Sequence, residues 1–233
     1  MLTSQLEREN TLLDLLKDKQ GSFVVQRCLP YLKHGTVTII VSSLESFLEV
    51  GCHPHSSFFL QEFFRMFSGQ DRVDILQDKV MDSLEMMMYN QVGHWVVQKL
   101  GHPRHITMAT TWLENNMQEV VLDSTAVFVA RTLVQQLLAR NRKGVENTWS
   151  LGIDKLVGKI MDTMVVSKDA SLPLFIVAAM HQAGHILVQE VVRQKDWLGH
   201  SKGEMMTILE QNRLRLRVDT FGCLVVKGFE GWM

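Results

Sequence analysis

Proline is nearly missing from this sequence, with 4 in 233 residues, and tyrosine is rarer still, at 2. Scarce proline removes the strongest helix breaker, and scarce tyrosine beside abundant Leu, Val and Met argues against a sheet-rich fold. No run of 18 or more apolar residues occurs, so the sequence offers no candidate membrane-spanning helix. Residues Met1 to Asn10 carry charge early and lack the basic-then-apolar order of a secretion signal. Cysteine is limited to Cys28, Cys52 and Cys223, an odd number spaced far apart. These read as reduced thiols of an intracellular protein, not as a disulfide framework or a zinc-binding set. An excess of positive charge is missing too, the formal net charge being −1. A uniformly basic surface for polyanions is thereby excluded, and any groove for one must be locally basic or rely on stacking.

What is present is a repeat. It reads Gly21-Ser22-Phe23-Val24-Val25-Gln26, then Ser56-Ser57-Phe58-Phe59-Leu60-Gln61, then Gly93-His94-Trp95-Val96-Val97-Gln98. A weaker copy is Ala126-Val127-Phe128-Val129-Ala130-Arg131. Two later copies are Gly184-His185-Ile186-Leu187-Val188-Gln189 and Gly222-Cys223-Leu224-Val225-Val226-Lys227. Between second residues the spacings are 35, 37, 33, 58 and 38, and four of these five suit a helical solenoid unit. The long interval holds a polar stretch from Ala139 to Thr148, which predicts an insertion at about 139–152 between the fourth and fifth copies.

Segments between the copies have the period of a helix with one buried face. Leu76, Val80, Leu84, Met87 and Met88 follow it, as do Met108, Trp112, Met117 and Val120. Ile153, Leu156, Val157, Ile160, Met161 and Met164 make a third such stripe. Ser4-Gln5-Leu6-Glu7 reads as a capping box ahead of Leu12, Leu13 and Leu16, and Gly101 with Pro103 as a helix stop. Thr36 to Val41 is β-branched and locally strand-like, yet Leu44, Phe47 and Leu48 continue a helical period, so a helix is expected there. No single unit buries its own apolar face, so neighbours must stack. The expected fold is all-α: one domain over residues 1–233, a curved α-solenoid of about six repeats. The chain ends at Gly231-Trp232-Met233, soon after Lys227, so the last repeat is expected to be incomplete.

The second and sixth residues of each copy are four apart and share a helix face. Ser22 with Gln26 is therefore expected to present a hydrogen-bonding pair outward, while Val24 and Val25 turn inward. Gln fills the sixth position as Gln26, Gln61, Gln98 and Gln189, and an amide both donates and accepts. The third position is aromatic in four copies: Phe23, Phe58, Trp95 and Phe128. Edge-bonding amides beside flat rings suit single-stranded RNA, whose bases are read by edges and held by stacking. Ile186 and Leu224 stack poorly, and Val127 cannot bond a base edge. Arg131 and Lys227 replace the amide and would more naturally meet phosphate. Two blander readings stand beside this one: an ordinary buried helix that recurs, or aromatic positions that serve as core between repeats.

The pattern resembles the Pumilio (PUF) repeat, in which a Gly–x–x–Val–Val–Gln-like helix contributes two edge-reading residues and one stacking residue per base. That resemblance implies an RNA-binding surface at Ser22, Phe23, Gln26, Ser57, Phe58, Gln61, His94, Trp95, Gln98, Phe128, Arg131, His185, Gln189, Cys223 and Lys227. It implies adenine-reading pairs in Ser22–Gln26 and Ser57–Gln61; His94–Gln98 and His185–Gln189 depart from the common pairs. Val129-Ala130-Arg131-Thr132-Leu133-Val134 and Ser171-Leu172-Pro173-Leu174-Phe175 are similar to the nucleolar Pumilio-like protein nine branch. That likeness implies precursor ribosomal RNA and ribosome-assembly proteins as partners, and a nucleolar or nuclear setting. A cytoplasmic mRNA regulator is the first alternative, and a protein-interaction solenoid without RNA binding the second. DNA and membrane partners are not expected.

Other residues invite chemistry weakly. His181 and His185 are four apart but lack a third metal ligand nearby, and Cys52-His53-Pro54-His55 lacks a partner pair. No glycine-rich phosphate loop, metalloprotease His-Glu motif or defensible nucleophile–base pair occurs. An enzyme is not expected, nor a metal or cofactor. Arg140, Arg142 and Lys143, and Arg213, Arg215 and Arg217, are basic clusters able to touch phosphate, with a solvated face as the default reading.

Overall fold

The computed structural model describes residues 9–31, 47–67, 71–142, 148–166, 171–193 and 201–230. The expectations for residues 4–7, 36–44, 143–147 and 231–233 lie outside the described residues. The chain forms two compact units, Met1–Ile106 and Thr107–Met233. Both are stacks of helical repeats, so the α-solenoid class expected from the spacing holds.

The first unit runs through α1 (Glu9–Lys17), α2 (Lys19–Cys28), a 3-10 turn (Leu29–Tyr31), α3 (Phe47–Cys52) and α4 (Ser56–Phe67). It continues with α5 (Asp71–Asp82), α6 (Leu84–Met88), α7 (Gly93–Val97) and the first turn of α8 (Pro103–Leu122). Signature helices α2, α4 and α7 pack in succession. Leu16, Phe59, Phe63, Phe64, Leu76, Val80, Met87 and Met88 are buried between the helices. Each such side chain contributes about 1.5–3 kcal/mol on leaving water. Gly101 and Pro103 do not end the third signature helix, which closes at Val97. Pro103 instead opens α8, where its missing N–H has no intrahelical acceptor to lose.

In the second unit α8 leads to α9 (Ala126–Arg142) and α10 (Thr148–Asp162). An antiparallel hairpin follows, β1 (Met164–Val166) with β2 (Ser171–Pro173), its register pairing Val165 with Leu172. Then come α11 (Leu174–Met180), α12 (Gly184–Arg193), α13 (Ser201–Gln211), α14 (Arg213–Val218) and α15 (Gly222–Glu230). Signature helices α9 and α12 pack directly together, as do α12 and α15. Among the described residues no other signature helix is interposed in the long interval. Its extra length goes into α9, which runs on through Ala139 to Arg142, into α10 and into the hairpin. Met164 leaves its expected helical stripe for β1 and is exposed, and Met108 is exposed on α8, whose buried stripe is Ile106, Ala109, Leu113, Met117 and Val120.

A recurring cap starts the signature helices. Asp18 Oδ1 accepts from Gly21 N–H at 2.7 Å, Asn90 Oδ1 from Gly93 N–H at 2.8 Å and Asp123 Oδ1 from Ala126 N–H at 2.7 Å. Asp219 Oδ1 accepts from Gly222 N–H at 2.7 Å, while His181 Nδ1 faces Gly184 N–H at 3.4 Å. His53 Nδ1 accepts from His55 N–H at 3.3 Å in the same turn of the second copy. Each residue stands three before its signature and satisfies a backbone N–H that the helix start leaves bare. The first signature residue must be small because the preceding helix is so close. A Cβ on Gly184 would lie 2.7 Å from the Ala178 carbonyl oxygen, and one on Gly222 2.8 Å from that of Leu216. In the second copy Ser56 fills the place, its hydroxyl donating to the Val50 carbonyl at 2.7 Å.

Candidate nucleic-acid interface

Capped starts and buried fifth residues set the rotation of the signature helices, and so decide what each other position faces. In α2, Gly21, Ser22 and Val25 are buried; in α7, Gly93, His94, Val96 and Val97 are. The third position then points to solvent. Phe23 is 56% exposed, Phe58 57% and Trp95 48%, on three helices that pack in order. Water-exposed rings of this size at one register are costly for a soluble surface and are the form a stacking platform takes. Arg27 lies over the Phe23 ring, its guanidinium carbon 5.4 Å from the centroid. Gln26, Gln61 and Gln98 are half-buried beside the rings.

The second position does not face outward as expected. Ser22 is 2% exposed, Ser57 1% and His94 6%. Ser22 Oγ donates to the His55 carbonyl of the next repeat at 2.8 Å and accepts from Gln26 Nε2 at 3.0 Å. The Ser22–Gln26 pair is thus bonded to itself and to its neighbour. Spacing of four put both residues on one face correctly, but that face is partly covered by the adjoining repeat. His94 Nδ1 lies 3.1 Å from the Asn90 carbonyl, and its ring packs 4.5 Å from that of Trp95, which braces the exposed indole. Val24, expected inside, is exposed, while Val25 is buried.

In the second unit the face is less open. Phe128, His185, Ile186 and Gln189 are half-buried and Val127 is fully buried. Leu224 and Lys227 are exposed, and Cys223, half-buried, points its thiol at the Thr220 carbonyl 3.2 Å away. The His185 ring stacks on Phe221 at 5.0 Å and 25°. Arg131 is corrected as a phosphate contact: its Nε lies 3.3 Å from Oε2 of the buried Glu190, which also accepts from Gln135 Nε2 at 3.0 Å. That guanidinium joins α9 to α12 instead of waiting for a ligand. His181 and His185 are likewise used locally, His181 Nδ1 in the cap and His185 Nδ1 at 3.2 Å from the His181 carbonyl.

The basic clusters divide. Arg213 Nη2 reaches Glu230 at 3.0 Å and Arg217 bonds the same carboxylate. Those two arginines hold the Glu230 carboxyl below the usual carboxylate range, Arg217 foremost. Arg215 is exposed. Burial lowers the Arg140 pKa, and residues 143–147 lie outside the described residues. Sequence reasoning missed the caps Asp18, Asn90, Asp123 and Asp219, although a polar residue three before the small one was a readable signal. It also missed Glu190, whose partners stand 55 and 59 residues upstream.

No curated protein matches the chain in sequence. The model of the Pumilio-family RNA binding repeat matches residues 12–44 and 46–78. That is a binding repeat and not a catalytic one. Among solved structures, PUF-8 in complex with PBE-RNA superposes with a TM-score of 0.79 at 18% identity, over 98% of this chain and 62% of that one. The Puf3 RNA binding domain with a Cox17 RNA 3′ UTR recognition sequence gives 0.76 at 14% identity, over 98% and 60%. Yeast Puf5p with AAT2 RNA gives 0.71 at 16%, over 98% and 59%. The chain spans about three-fifths of the length of these structures. The nucleolar or nuclear setting expected above is corrected by these likenesses, among them Puf3 bound to a 3′ UTR recognition sequence. Two segments of the chain thus match the Pumilio-family RNA binding repeat, and its fold is that of the Pumilio-repeat structures.

Proposed function

We propose that this protein binds single-stranded RNA without catalysis, through a stacking platform formed by its first three repeats. The observation that carries this is the row of exposed rings, Phe23, Phe58 and Trp95, on successively packed helices. Half-buried Gln26, Gln61 and Gln98 lie within reach of the base edges such stacking would present, and an amide can donate and accept there. Burial of Ser22, Ser57 and His94 weakens edge reading at the second position, so stacking supplies more of the affinity and sequence choice less. RNA of the messenger 3′ UTR class is the target favoured by the likeness to Puf3. Precursor ribosomal RNA, with ribosome-assembly partners, is the finer reading implied by two short segments, and it lacks support from those structures.

The test is equilibrium binding to single-stranded RNA pools at two salt concentrations, with a precursor-rRNA pool and a 3′ UTR pool as separate arms. Trp95→Ala should weaken binding by about 1–3 kcal/mol if the ring stacks on a base. That is roughly five- to 150-fold in Kd. Trp95→Ala should leave the salt slope of binding at the wild-type value, because a stacking ring neutralises no phosphate. Wild-type protein that ignores RNA, or a Trp95→Ala variant that binds as well as wild type while folded, would sink the reading. Preference for the precursor pool would restore the finer one.

A further inference from the structure

Away from the aromatic row, the first unit holds a cluster that RNA binding does not use. Asp74 and Asp78 are one turn apart on α5, and His102 and His105 flank the start of α8. One ligand atom from each of Asp74, His102 and His105 lies within 4.8 Å of the others. Behind them His105 Nε2 is 2.8 Å from Asp78 Oδ1, and Arg104 Nη2 lies 3.4 Å from the same oxygen. Gln77 Oε1 accepts from Gly101 and His102 N–H at 3.2 Å each, which fixes the segment carrying His102 against α5.

An ordinary hydrogen-bonded staple does not account for this arrangement. His102 Nε2 and Asp74 Oδ2 stand 3.8 Å apart, too far for a hydrogen bond. The other Asp74 oxygen and Nδ1 of the fully buried His105 are both out of water and without hydrogen-bond partners among the described residues. Leaving two such groups unsatisfied is unfavourable, and a cation offers lone pairs on both a partner. Two imidazoles and a carboxylate are the donor set of a three-ligand zinc centre whose fourth position is open. The geometry points to a divalent transition-metal site, zinc by donor chemistry, at Asp74, His102 and His105. Asp78 is the carboxylate that holds the buried imidazole in place, the usual outer partner of a metal-bound histidine. Ligand atoms around tetrahedral zinc sit about 3.3 Å apart, following bond lengths of about 2.0–2.1 Å. Closing from 4.8 Å needs side-chain movement of about 1 Å, and the two half-exposed ligands, Asp74 and His102, can supply it. The bound ion would tie the start of α8 to α5.

The test uses the full chain, freed of metal by chelator and titrated with Co²⁺ and then Zn²⁺, with no RNA present. One equivalent of Co²⁺ should give the visible bands of a four-coordinate nitrogen–oxygen site, displaced by Zn²⁺, and Zn²⁺ should raise the urea midpoint. His102→Ala and Asp74→Asn alter half-exposed side chains; both should abolish the bands and weaken zinc at least tenfold while circular dichroism stays native. Asp78→Asn should weaken zinc roughly 10–100-fold. His55→Gln, at the other histidine pair of this unit, should change nothing. No metal uptake by the wild type, full bands in a folded His102→Ala variant, or loss in His55→Gln would each overturn the site. Because the readout is metal binding, it stands or falls separately from RNA affinity.

Discussion

Substituting alanine for glycine at two helical positions of the second unit should move stability in opposite directions. Gly158 lies inside α10 with nothing within 4 Å of an added Cβ. Alanine there gains helix propensity of about 1 kcal/mol with no steric charge against it. Gly184 opens α12, and an added Cβ would meet the Ala178 carbonyl oxygen at 2.7 Å, Ala178 Cα at 2.8 Å and the Val121 carbonyl oxygen at 2.8 Å. All three are backbone atoms, so no side chain can swing aside; α11 and the end of α8 would have to move. Overpacking of this kind costs about 1–3 kcal/mol, and a first-turn position recovers little of the propensity gain. With a urea slope of about 2 kcal/mol/M, Gly158→Ala should raise the midpoint by about 0.5 M and Gly184→Ala should lower it by about 0.5–1.5 M. Circular dichroism against urea reads both. A Gly184→Ala protein as stable as Gly158→Ala would refute the claim that the signature glycine exists for close helix approach.

Three further outcomes are expected. Arg131→Ala should lower stability by about 1–3 kcal/mol, because Glu190 loses a charged partner, yet leave the salt slope of RNA binding unchanged; a flatter slope in binding isotherms would return Arg131 to the phosphates. Glu230, held low by Arg217 and Arg213, contributes stability above the usual carboxylate range and loses it as pH falls through its lowered pKa. Glu230→Gln should therefore flatten the acid side of the midpoint–pH curve, and high salt should shrink the difference. Trp95→Ala should cost little stability beside its loss of RNA affinity, since the indole is half in water; a large drop in urea midpoint would mark it as core.

The helical repeat was legible because its signals are local. Stripes such as Leu76, Val80, Leu84, Met87 and Met88 are set by period alone, and all five are buried. The site was legible only in part, for a physical reason. Four-residue spacing says that Ser22 and Gln26 share a face, but which way that face points depends on where the next repeat sits, and the Ser22 hydroxyl ends on a carbonyl 33 residues away. Arg131 shows the same limit, its partner Glu190 lying 59 residues on. A basic residue in a reading position looks free until the stacked helix is known. The hairpin escaped notice because strands of three residues leave no periodicity to detect. Its first residue, Met164, continued the helical stripe of α10 by count alone.

The caps divide the repeats by acid sensitivity. Asp18, Asn90, Asp123 and Asp219 cap through side-chain oxygens, but His53 and His181 do the same work through Nδ1. An imidazole accepts there only while that nitrogen is unprotonated. Burial first, then the neighbouring His55 and Lys17, lowers the His53 pKa, so its cap persists on mild acidification and is lost as pH falls through that lowered value. Stability in a stacked array is summed repeat by repeat, so losing one cap loosens one unit and its contacts and leaves the others in place. Acidification should therefore fray the second repeat, whose cap is His53, before the chain as a whole unfolds.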